Sequence, residues 1–388
     1  MELIRILNLP ELLEKKSFFL FGPRATGKTT LIRRQLPDSA AVIDLLDSRN
    51  YLTLSARPYE LESIIKARKH EYVVIDEIQR IPDLLNEVHR LIENEKITFL
   101  LTGSSARKLR RGQANLLAGR VWEARLFPLC WKEIPRFDLN RYLRYGGLPA
   151  VYLSAYPEEE LNAYVNTYLS EEIQAEGLVR KLPPFSRFLE TIALASGEMI
   201  NLTSLGSDCQ VAPSTVREYL ALLEDTLLGF MLPAWTESKK RKAIRRAKFY
   251  LFDPGVTHTL CGTQRLERNS NLYGKAFEHF IGMELRAWLS YRRDRRRLSY
   301  WRSTHGQEVD FIIGSDLAVE VKASAKIGPA DFRGLRALQE EGIIERLFLV
   351  SQDPLARNNA GIHAMHWEEF LDALWSDGLS GSTAGAAQ

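Results

Sequence analysis

The residues with the clearest chemical potential form a glycine-rich segment near the start of the chain. Residues 22–29 have the sequence GPRATGKT, which fits the pattern G-x-x-x-x-G-K-T. They follow the apolar run 17–21 and are expected to open a helix at Lys28, the strand–loop–helix context of a phosphate-binding loop. Backbone N–H groups would hold phosphate, Lys28 would reach the β- and γ-phosphates during catalysis, and Thr29 would bind Mg²⁺. The predicted ATP site comprises Gly22, Pro23, Arg24, Ala25, Thr26, Gly27, Lys28, Thr29 and Thr30.

An acidic pair follows a later apolar run. Residues 72–75 are YVVI, typical of a buried parallel strand, and Asp76 and Glu77 come directly after them. Ligands of open parallel sheets bind at the carboxyl ends of the strands. We therefore predict that Asp76 binds the nucleotide's Mg²⁺ and that Glu77 orients and deprotonates the attacking water.

Polar and basic residues after the next strand could complete this site. The strand predicted at 97–102 ends in TGSS, so that Thr102 or Ser104 could reach the γ-phosphate or the lytic water. Serine is also a good helix N-cap, and the two roles are compatible. Among Arg107, Arg110, Arg111 and Arg120, we choose Arg120 as an arginine that would complete the site of a neighbouring subunit. A solvated basic helix end is the alternative.

A second group of acidic residues lies in the last third of the chain. Glu320 and Lys322 lie two positions apart on a predicted strand and therefore on the same face. Asp310 on the neighbouring strand, and Glu278 on the helix predicted at 275–286, can join them. Glu278, Asp310 and Glu320 would hold one or two Mg²⁺ or Mn²⁺ ions that polarise a phosphodiester, with Lys322 stabilising charge. The alternative is an ion-pair cluster on a degenerate scaffold that only binds a partner.

The elements between these sites are expected to be helical. Helical patterns dominate residues 131–176 and are broken by Gly-Gly-Leu-Pro at 146–149. Residues 202–233 favour a helix-turn-helix, with helices from 202 and from Pro213 and a wing strand from 229. On DNA, Ser214, Thr215 and Arg217 would lie near the groove, and a basic wing loop would contact phosphates through Lys239, Lys240, Arg241, Lys242, Arg245 and Arg246. An ATPase lid, a protein-binding module and a solvated basic loop are the alternatives.

Composition limits the class of protein. A chain of 388 residues is too long for one core, and a net charge of +3 means that any nucleic-acid surface must be local. Cys130, Cys209 and Cys261 lie far apart, which argues against a zinc site and a disulfide framework. No secretory leader and no apolar stretch of about 20 residues is present, so we expect a soluble cytoplasmic protein without a membrane contact.

Taken together, these motifs resemble the AAA+-type ATPases of prokaryotes that carry a conserved C-terminal domain of unknown function. The combination of DEIQRIP, TGSS, LAGR and GGLP is more specific than the phosphate-loop motifs, and the resemblance extends to about Leu374. It implies an AAA+ or STAND-like core, a winged-helix module and a domain similar to PD-(D/E)xK nucleases. It also implies that Pro149, in a GxP-like element, packs on the adenine, whereas a helix-breaking turn is the alternative. A clear sensor 2 arginine is missing.

The predicted fold class is α/β: a P-loop ASCE (AAA+-like) parallel sheet, a helical lid and winged helix, and an α/β restriction-endonuclease-like domain. The predicted boundaries are 1–130, 131–196, 197–252, 253–376 and a disordered tail at 377–388. The predicted function is a Mg-ATP-hydrolysing ATPase that acts on nucleic acid, most simply DNA, with a metal-dependent nuclease-like domain; a homo-oligomer is compatible with it. The alternatives are an ATP-dependent switch or scaffold that cuts nothing, and a DNA-binding regulator.

Overall fold

A five-stranded parallel sheet forms the first part of the molecule. In this computed structural model, which describes residues 3–67, 72–103, 117, 119–169 and 182–379, the strands have the spatial order β2-β3-β4-β1-β5. Their bounds are Phe18–Phe21 (β1), Ala41–Asp44 (β2), Val73–Asp76 (β3), Phe99–Gly103 (β4) and Trp122–Arg125 (β5). The parallel sheet predicted for the first part of the chain is confirmed.

Helices cover both faces of this sheet because its strands alternate apolar side chains between two cores. Leu9–Lys15 (α1) and Lys28–Gln35 (α2) pack with Phe18 and Leu20 on one face. Ser48–Ala56 (α3), Glu60–Lys66 (α4) and Leu84–Glu95 (α5) pack with Phe19 and Phe21 on the other. All five strands therefore direct their carboxyl ends to one edge, where polar side chains can meet.

Short helices follow the sheet. They are Leu139–Tyr145 (α6), Pro149–Leu153 (α7) and Pro157–Ala163 (α8), followed by a π-helical turn at Tyr164–Leu169. Gly146 takes a φ of 75°, and a β-carbon there would lie 1.9 Å from the Asp253 Oδ1 atom. The break predicted at 146–149 is thus a tight turn between two helices, against which Asp253 packs.

The middle of the chain combines helices with a two-stranded antiparallel hairpin. Its elements are Leu182–Leu194 (α9), Leu202–Cys209 (α10), Pro213–Asp225 (α11), Gly229–Leu232 (β6), Lys248–Leu251 (β7) and Pro254–Leu260 (α12). Pro213 occupies the first turn of α11, where its missing N–H group is not needed. Ser214 and Arg217 are exposed on this helix and Thr215 is half-buried. Their predicted contacts with DNA stay predictions.

A six-stranded mixed sheet forms the last part of the molecule, with the order β12-β13-β11-β10-β9-β8. Its strands are Leu298–Arg302 (β8), Glu308–Ile313 (β9), Leu317–Lys322 (β10), Arg346–Ser351 (β11), Arg357–Asn359 (β12) and Ile362–His366 (β13). Asn271–Tyr291 (α13), Arg333–Gln339 (α14) and Trp367–Trp375 (α15) accompany them. The strands that carry Asp310 and Glu320 are antiparallel neighbours.

The loop between β6 and β7 lies along the edge of this second sheet. Trp235 N–H donates to the Tyr300 carbonyl at 2.6 Å, and Ile244 N–H donates to the Arg302 carbonyl at 2.8 Å. Both acceptors belong to the edge strand β8. Residues 233–247 therefore cover a strand edge that would otherwise be unpaired.

Part of the predicted DNA-contacting basic run is engaged in this packing. Arg241 forms an ion pair with Glu340 and donates to the Ala337 carbonyl at 2.9 Å. The Lys240 ammonium donates to the Glu340 carbonyl. The remaining predicted phosphate contacts are exposed: Lys239, Lys242, Arg245 and Arg246. Local charge identified the run, but sequence alone did not reveal that the second sheet holds part of it.

Helix α13 joins the three parts of the molecule. The Arg286 guanidinium lies 5.2 Å from the Phe127 ring and 4.1 Å from the Phe230 ring, both within range for cation–π attraction. The Glu284 carboxylate accepts hydrogen bonds from Trp131 N–H at 2.7 Å and Trp375 Nε1 at 2.8 Å.

Within the described ranges, no helix is long and apolar enough to cross a membrane.

Candidate functional site

The glycine-rich loop connects β1 to α2, as its sequence context predicts. A β-carbon at Gly22 would lie 2.6 Å from the Leu126 carbonyl oxygen, and Gly27 has a φ of 91°, so both positions favour glycine. Lys28 is 7% exposed, and its ammonium donates to the carbonyls of Gly22 at 2.8 Å and Pro23 at 3.2 Å. The lysine is thus held inside the loop that is predicted to cradle phosphate.

The predicted acidic and polar residues meet beside this loop, at the carboxyl ends of β3 and β4. Asp76 Oδ2 accepts a hydrogen bond from the Thr29 hydroxyl at 3.0 Å, and its Oδ1 accepts one from the Thr102 hydroxyl. Thr102 Oγ1 also accepts the Glu77 N–H at 3.1 Å. Glu77 has a left-handed φ of 61°, and its carboxylate accepts a hydrogen bond from Gln79 Nε2. The structure therefore brings Thr29, Asp76, Glu77 and Thr102 together, while their catalytic roles stay predictions.

A largely apolar cavity of about 550 Å³ lies next to the loop. Ala25, Gly27 and Thr30 form one side of it, and Pro149, the first residue of α7, forms another. The Pro149 Cγ atom is 3.8 Å from the position that a β-carbon on Gly27 would take. Further lining residues are Leu3, Ile4, Arg5, Leu31, Arg34, Gln35, Leu129, Ala150 and Leu153. Pro149 thus lies beside the glycine-rich loop, and its packing on an adenine base stays a prediction.

Arg5, which lines this cavity, was not found by sequence reasoning, because its hydrogen-bond partners lie far along the chain. Its guanidinium donates to the Thr26 carbonyl at 2.9 Å, to the Phe127 carbonyl at 2.5 Å and to the Glu133 carboxylate at 3.0 Å. The Tyr291 hydroxyl of α13 receives the Phe127 N–H at 3.2 Å. One buried arginine therefore connects the phosphate loop to the strand end that α13 contacts.

Arg120 lies at the end of the first sheet opposite to the carboxyl ends of its strands. It precedes β5, whose residue Trp122 pairs with Phe18 at the start of β1, and it forms an exposed ion pair with Glu93. A role in a neighbouring subunit stays a prediction. Ser104 and the rejected candidates Arg107, Arg110 and Arg111 lie outside the described residues.

The carboxylates predicted in the last third of the chain are buried close to one another. Asp310 and Glu320 are 7% and 6% exposed, and Asp310 Oδ2 accepts the Val321 N–H at 2.8 Å. The Lys322 ammonium lies 2.6 Å from Glu320 Oε1. Glu320 Oε2 is buried and has no hydrogen-bond partner among the described residues. Burial raises the pKa of Glu320 to about 7, and burial together with the charges of Glu320 and Glu278 raises the pKa of Asp310 well above its usual value.

A lysine from the hairpin enters this cluster. The Lys248 ammonium lies 2.6 Å from Glu308 Oε1 and 3.3 Å from Glu278 Oε1. Glu278 Oε1 also accepts a hydrogen bond from the Tyr250 hydroxyl at 2.5 Å. Although burial opposes the charged form, these carboxylates hold the pKa of Lys248 well above its usual value. Sequence reasoning missed Lys248, since its partner Glu278 lies 30 positions further along the chain.

The described acidic residues are not arranged as a set of metal ligands. Among the residues that the structure describes, no group of three or more His, Cys, Asp or Glu side chains is placed to hold a metal ion. Metal binding by Glu278, Asp310 and Glu320 therefore stays a prediction, as does Mg²⁺ binding by Thr29 and Asp76.

Three regions of the chain match known domain families. Residues 14–135 match an AAA domain family. Residues 136–267 and 273–370 match two domains of unknown function, DUF8612 and DUF4143. The AAA match and the five-stranded parallel sheet support a P-loop ATPase, and the DUF4143 match agrees with the predicted C-terminal domain of unknown function.

Three relatives are described as uncharacterised. A Mycobacterium tuberculosis protein is 29% identical over 344 residues, covering 85% of this chain and 75% of its own. A Haemophilus influenzae protein is 23% identical (68% and 72% covered), and a Methanocaldococcus jannaschii protein is 22% identical (78% and 73% covered). A structure of Drosophila ORC bound to AT-rich DNA and Cdc6 covers 66% of this chain and 89% of that chain, at 10% identity and a TM-score of 0.24.

Proposed function

We propose that this chain binds Mg·ATP and hydrolyses it, and that nucleotide occupancy acts as a switch on the two following modules. The observation that carries the proposal is the network of Thr29, Asp76, Thr102 and Glu77 at two strand ends, directly beside an apolar cavity that includes Pro149. The apolar cavity suits the adenine base, and the polar network suits the charged phosphates and their Mg²⁺.

Each residue of the network has a chemical task in this proposal. Lys28 exchanges its two carbonyl acceptors for phosphate oxygens. Thr29 and Asp76 would hold Mg²⁺, which supplies charge neutralisation at the phosphates when bound. Glu77 accepts a proton from the attacking water, and Thr102 fixes both the Asp76 carboxylate and the Glu77 backbone. The main catalytic effect is positioning together with electrostatic stabilisation.

The switch would act through the turn that carries Pro149. Gly147 N–H donates to the Asp253 carboxylate at 2.8 Å, and Asp253 accepts the Val256 N–H at 3.1 Å at the start of α12. A base that moves Pro149 would therefore move the segment that begins α12. Arg5 offers a second connection, from the Thr26 carbonyl to Glu133.

Nucleotide binding by the purified full chain tests the proposal. Lys28→Ala should remove ATP affinity, whereas Lys66→Ala, an exposed lysine paired with Glu62 on α4, should bind ATP like the natural chain. Equal ATP affinity in Lys28→Ala and the natural chain would contradict the assignment of the phosphate loop.

A second candidate function is metal-dependent cleavage of nucleic acid by the C-terminal domain. One observation favours it: Glu320 Oε2 is buried and has no partner among the described residues. Gly334 on α14 packs tightly beside it, since a β-carbon there would lie 3.5 Å from Glu320 Oε2 and only 1.9 Å from the Glu308 carbonyl oxygen. A cavity of about 620 Å³ opens at Glu320 and Lys322 and includes Arg333 and Arg336, which suit a phosphate backbone.

Labelled DNA in linear, single-stranded and branched forms, incubated with Mg²⁺ or Mn²⁺, tests this candidate. Cleavage that is absent in Asp310→Ala, with ATP turnover preserved, would support a nuclease. Absence of cleavage in a preparation that hydrolyses ATP would favour a domain that binds a partner without cutting. Lys248, which already neutralises Glu278 and Glu308, favours this second outcome.

Binding of nucleic acid can be tested independently of cleavage. The exposed residues Lys242, Arg245 and Arg246 can be changed to glutamate without touching the Arg241–Glu340 pair. DNA affinity should fall steeply with this change and with added salt, because phosphate contacts release counterions. Unchanged affinity would remove this loop from any nucleic-acid surface.

A further inference from the structure

A polar cavity of about 500 Å³ lies among three helices and shares no lining residue with the apolar cavity beside the glycine-rich loop. Its walls come from the ends of α6, α8 and α12 and from the residues after α12. The side chains that matter for binding are Arg144, Glu158, Asn162, His258 and Thr263. None of them belongs to the nucleotide site or to the C-terminal carboxylate cluster.

Two buried nitrogen atoms at this cavity lack hydrogen-bond partners within the part of the chain that the structure describes. They are Arg144 Nη1 and His258 Nε2. His258 is only 7% exposed, and the Arg144 side chain is 16% exposed. Buried polar atoms in native proteins are nearly always hydrogen-bonded, so two such atoms at one cavity indicate a ligand that supplies the missing partners.

The remaining charges define what that ligand can be. The other terminal nitrogen of Arg144 is already paired with Glu158 Oε1 at 2.9 Å, and the Tyr145 hydroxyl donates to the same oxygen at 3.3 Å. Burial and the nearby Arg144 charge lower the pKa of His258 to about 4, so its imidazole is neutral near pH 7. The site thus offers one cation that a carboxylate already partly neutralises, and one neutral imidazole.

We infer that this cavity is a second ligand site, which takes a small polar molecule through a carboxylate group bound between Arg144 and His258. One carboxylate oxygen accepts from Arg144 Nη1 and the other accepts from the imidazole N–H. A monoanion suits the site better than a phosphate dianion, because Glu158 would repel the second charge. Asn162 and Thr263 remain for hydroxyl or amide groups of the ligand.

The helices that line this cavity are connected to the turn that leads to the proposed nucleotide site. Arg144 lies in α6, two residues before Gly146, and His258 lies in α12, whose first residues are tied to Gly147 by Asp253. The same turn ends at Pro149, which lines the apolar cavity beside the glycine-rich loop. The inference does not rest on ATP hydrolysis, because occupancy of this cavity can be measured without nucleotide.

The thermal unfolding midpoint of the full chain, measured in sodium acetate against sodium chloride at equal ionic strength and pH 7.5, tests the inference. Acetate should raise the midpoint saturably. Arg144→Gln should remove the acetate effect, whereas Arg265→Gln, an exposed arginine just beyond α12, should keep it. Glu158→Gln should strengthen acetate binding by about threefold or more, because it removes a repelling charge.

Because His258 is buried, a substitution there could impair folding, so its effect on acetate binding must be measured together with the cooperativity of unfolding. His363→Phe, at an exposed position on β13, changes a histidine outside the cavity, keeps both His258 and Arg144, and should leave acetate binding intact. His258→Phe should unfold cooperatively and show no saturable response to acetate. No saturable acetate effect in the natural chain, an equal effect in Arg144→Gln, or saturation by inorganic phosphate without saturation by acetate would each overturn the inference.

Discussion

The nucleotide end of the first sheet and the carboxylate cluster of the second sheet both gather acidic side chains, but they neutralise them differently. Asp76 is held by two uncharged hydroxyl groups, those of Thr29 and Thr102. Glu308 and Glu320 instead face the ammonium groups of Lys248 and Lys322. Hydroxyl donors orient a carboxylate and leave its charge available to a cation, whereas an ammonium already satisfies that charge. Similar residue types can therefore leave a carboxylate held by uncharged donors in one place and form an internal ion-pair cluster in another.

Removing Lys248 is the strongest way to break this comparison. Lys248→Met leaves Glu278 without its buried counter-charge and Glu308 with only its partly exposed partner Arg302, and should lower the free energy of unfolding by about 3 kcal/mol. Mn²⁺ should restore part of that loss if the cluster can accept a divalent cation. Urea unfolding with and without Mn²⁺ measures both effects.

Lys275→Met provides the control for that experiment, because Lys275 forms an exposed pair with Glu198. Exposed pairs contribute roughly 0–1 kcal/mol, so this variant should stay close to the natural chain. If Lys248→Met cost no more than Lys275→Met, the cluster would not depend on the lysine as described.

Replacing Pro149 sharpens the nucleotide half of the comparison. Pro149→Ala removes apolar surface from the cavity beside Gly27 and should weaken ATP binding by about fivefold, as expected for burial of one or two methylene groups. Binding of inorganic tripolyphosphate should not change, since Pro149 lies on the base side. Titration of both ligands into the variant separates the two halves of the site.

Pro213→Ala is the matched control, since Pro213 also occupies the first turn of a helix but lies in the middle module. An equal loss of ATP and tripolyphosphate affinity in Pro149→Ala would place the proline outside an adenine pocket.

The junction between the two regions should make stability depend on pH. Burial raises the pKa of Glu284 to about 8, so between about 4.5 and 8 the folded chain holds a proton that the unfolded chain releases. The stability that this protonated carboxyl contributes to the folded state is complete below about pH 4.5 and is lost as pH rises through 8. Denaturant unfolding from pH 5 to 8.5 should show a shallower decline in Glu284→Gln than in the natural chain, and equal slopes would contradict the assignment.

The parts of the fold that sequence predicted are those that local patterns encode. The apolar runs before Gly22 and Asp76 predicted two strands of the first sheet, and the glycine spacing predicted the loop between β1 and α2. Period-2 alternation likewise placed Glu320 and Lys322 on one strand. These signals need only a few consecutive residues.

The parts that sequence missed depend on partners far along the chain. Arg5 and Glu133 are separated by 128 positions, and Lys248 meets Glu278 across 30. The positive charge of the basic run before β7 suggested phosphate contacts. Nothing in the composition of the run reveals that Arg241 pairs with Glu340. Tertiary packing alone determines which charges stay exposed.

Steady-state phosphate release by the natural chain and Glu77→Gln, with ATP binding measured on the same preparations, tests the central claim most directly. Glu87→Gln on α5, which loses a partly exposed pair with Arg90, is the control. We predict that Glu77→Gln binds ATP normally and turns over about 10²–10⁴-fold more slowly, the usual contribution of a general base, while Glu87→Gln keeps its rate. Unchanged turnover in Glu77→Gln would contradict the claim that this strand end is where ATP is hydrolysed.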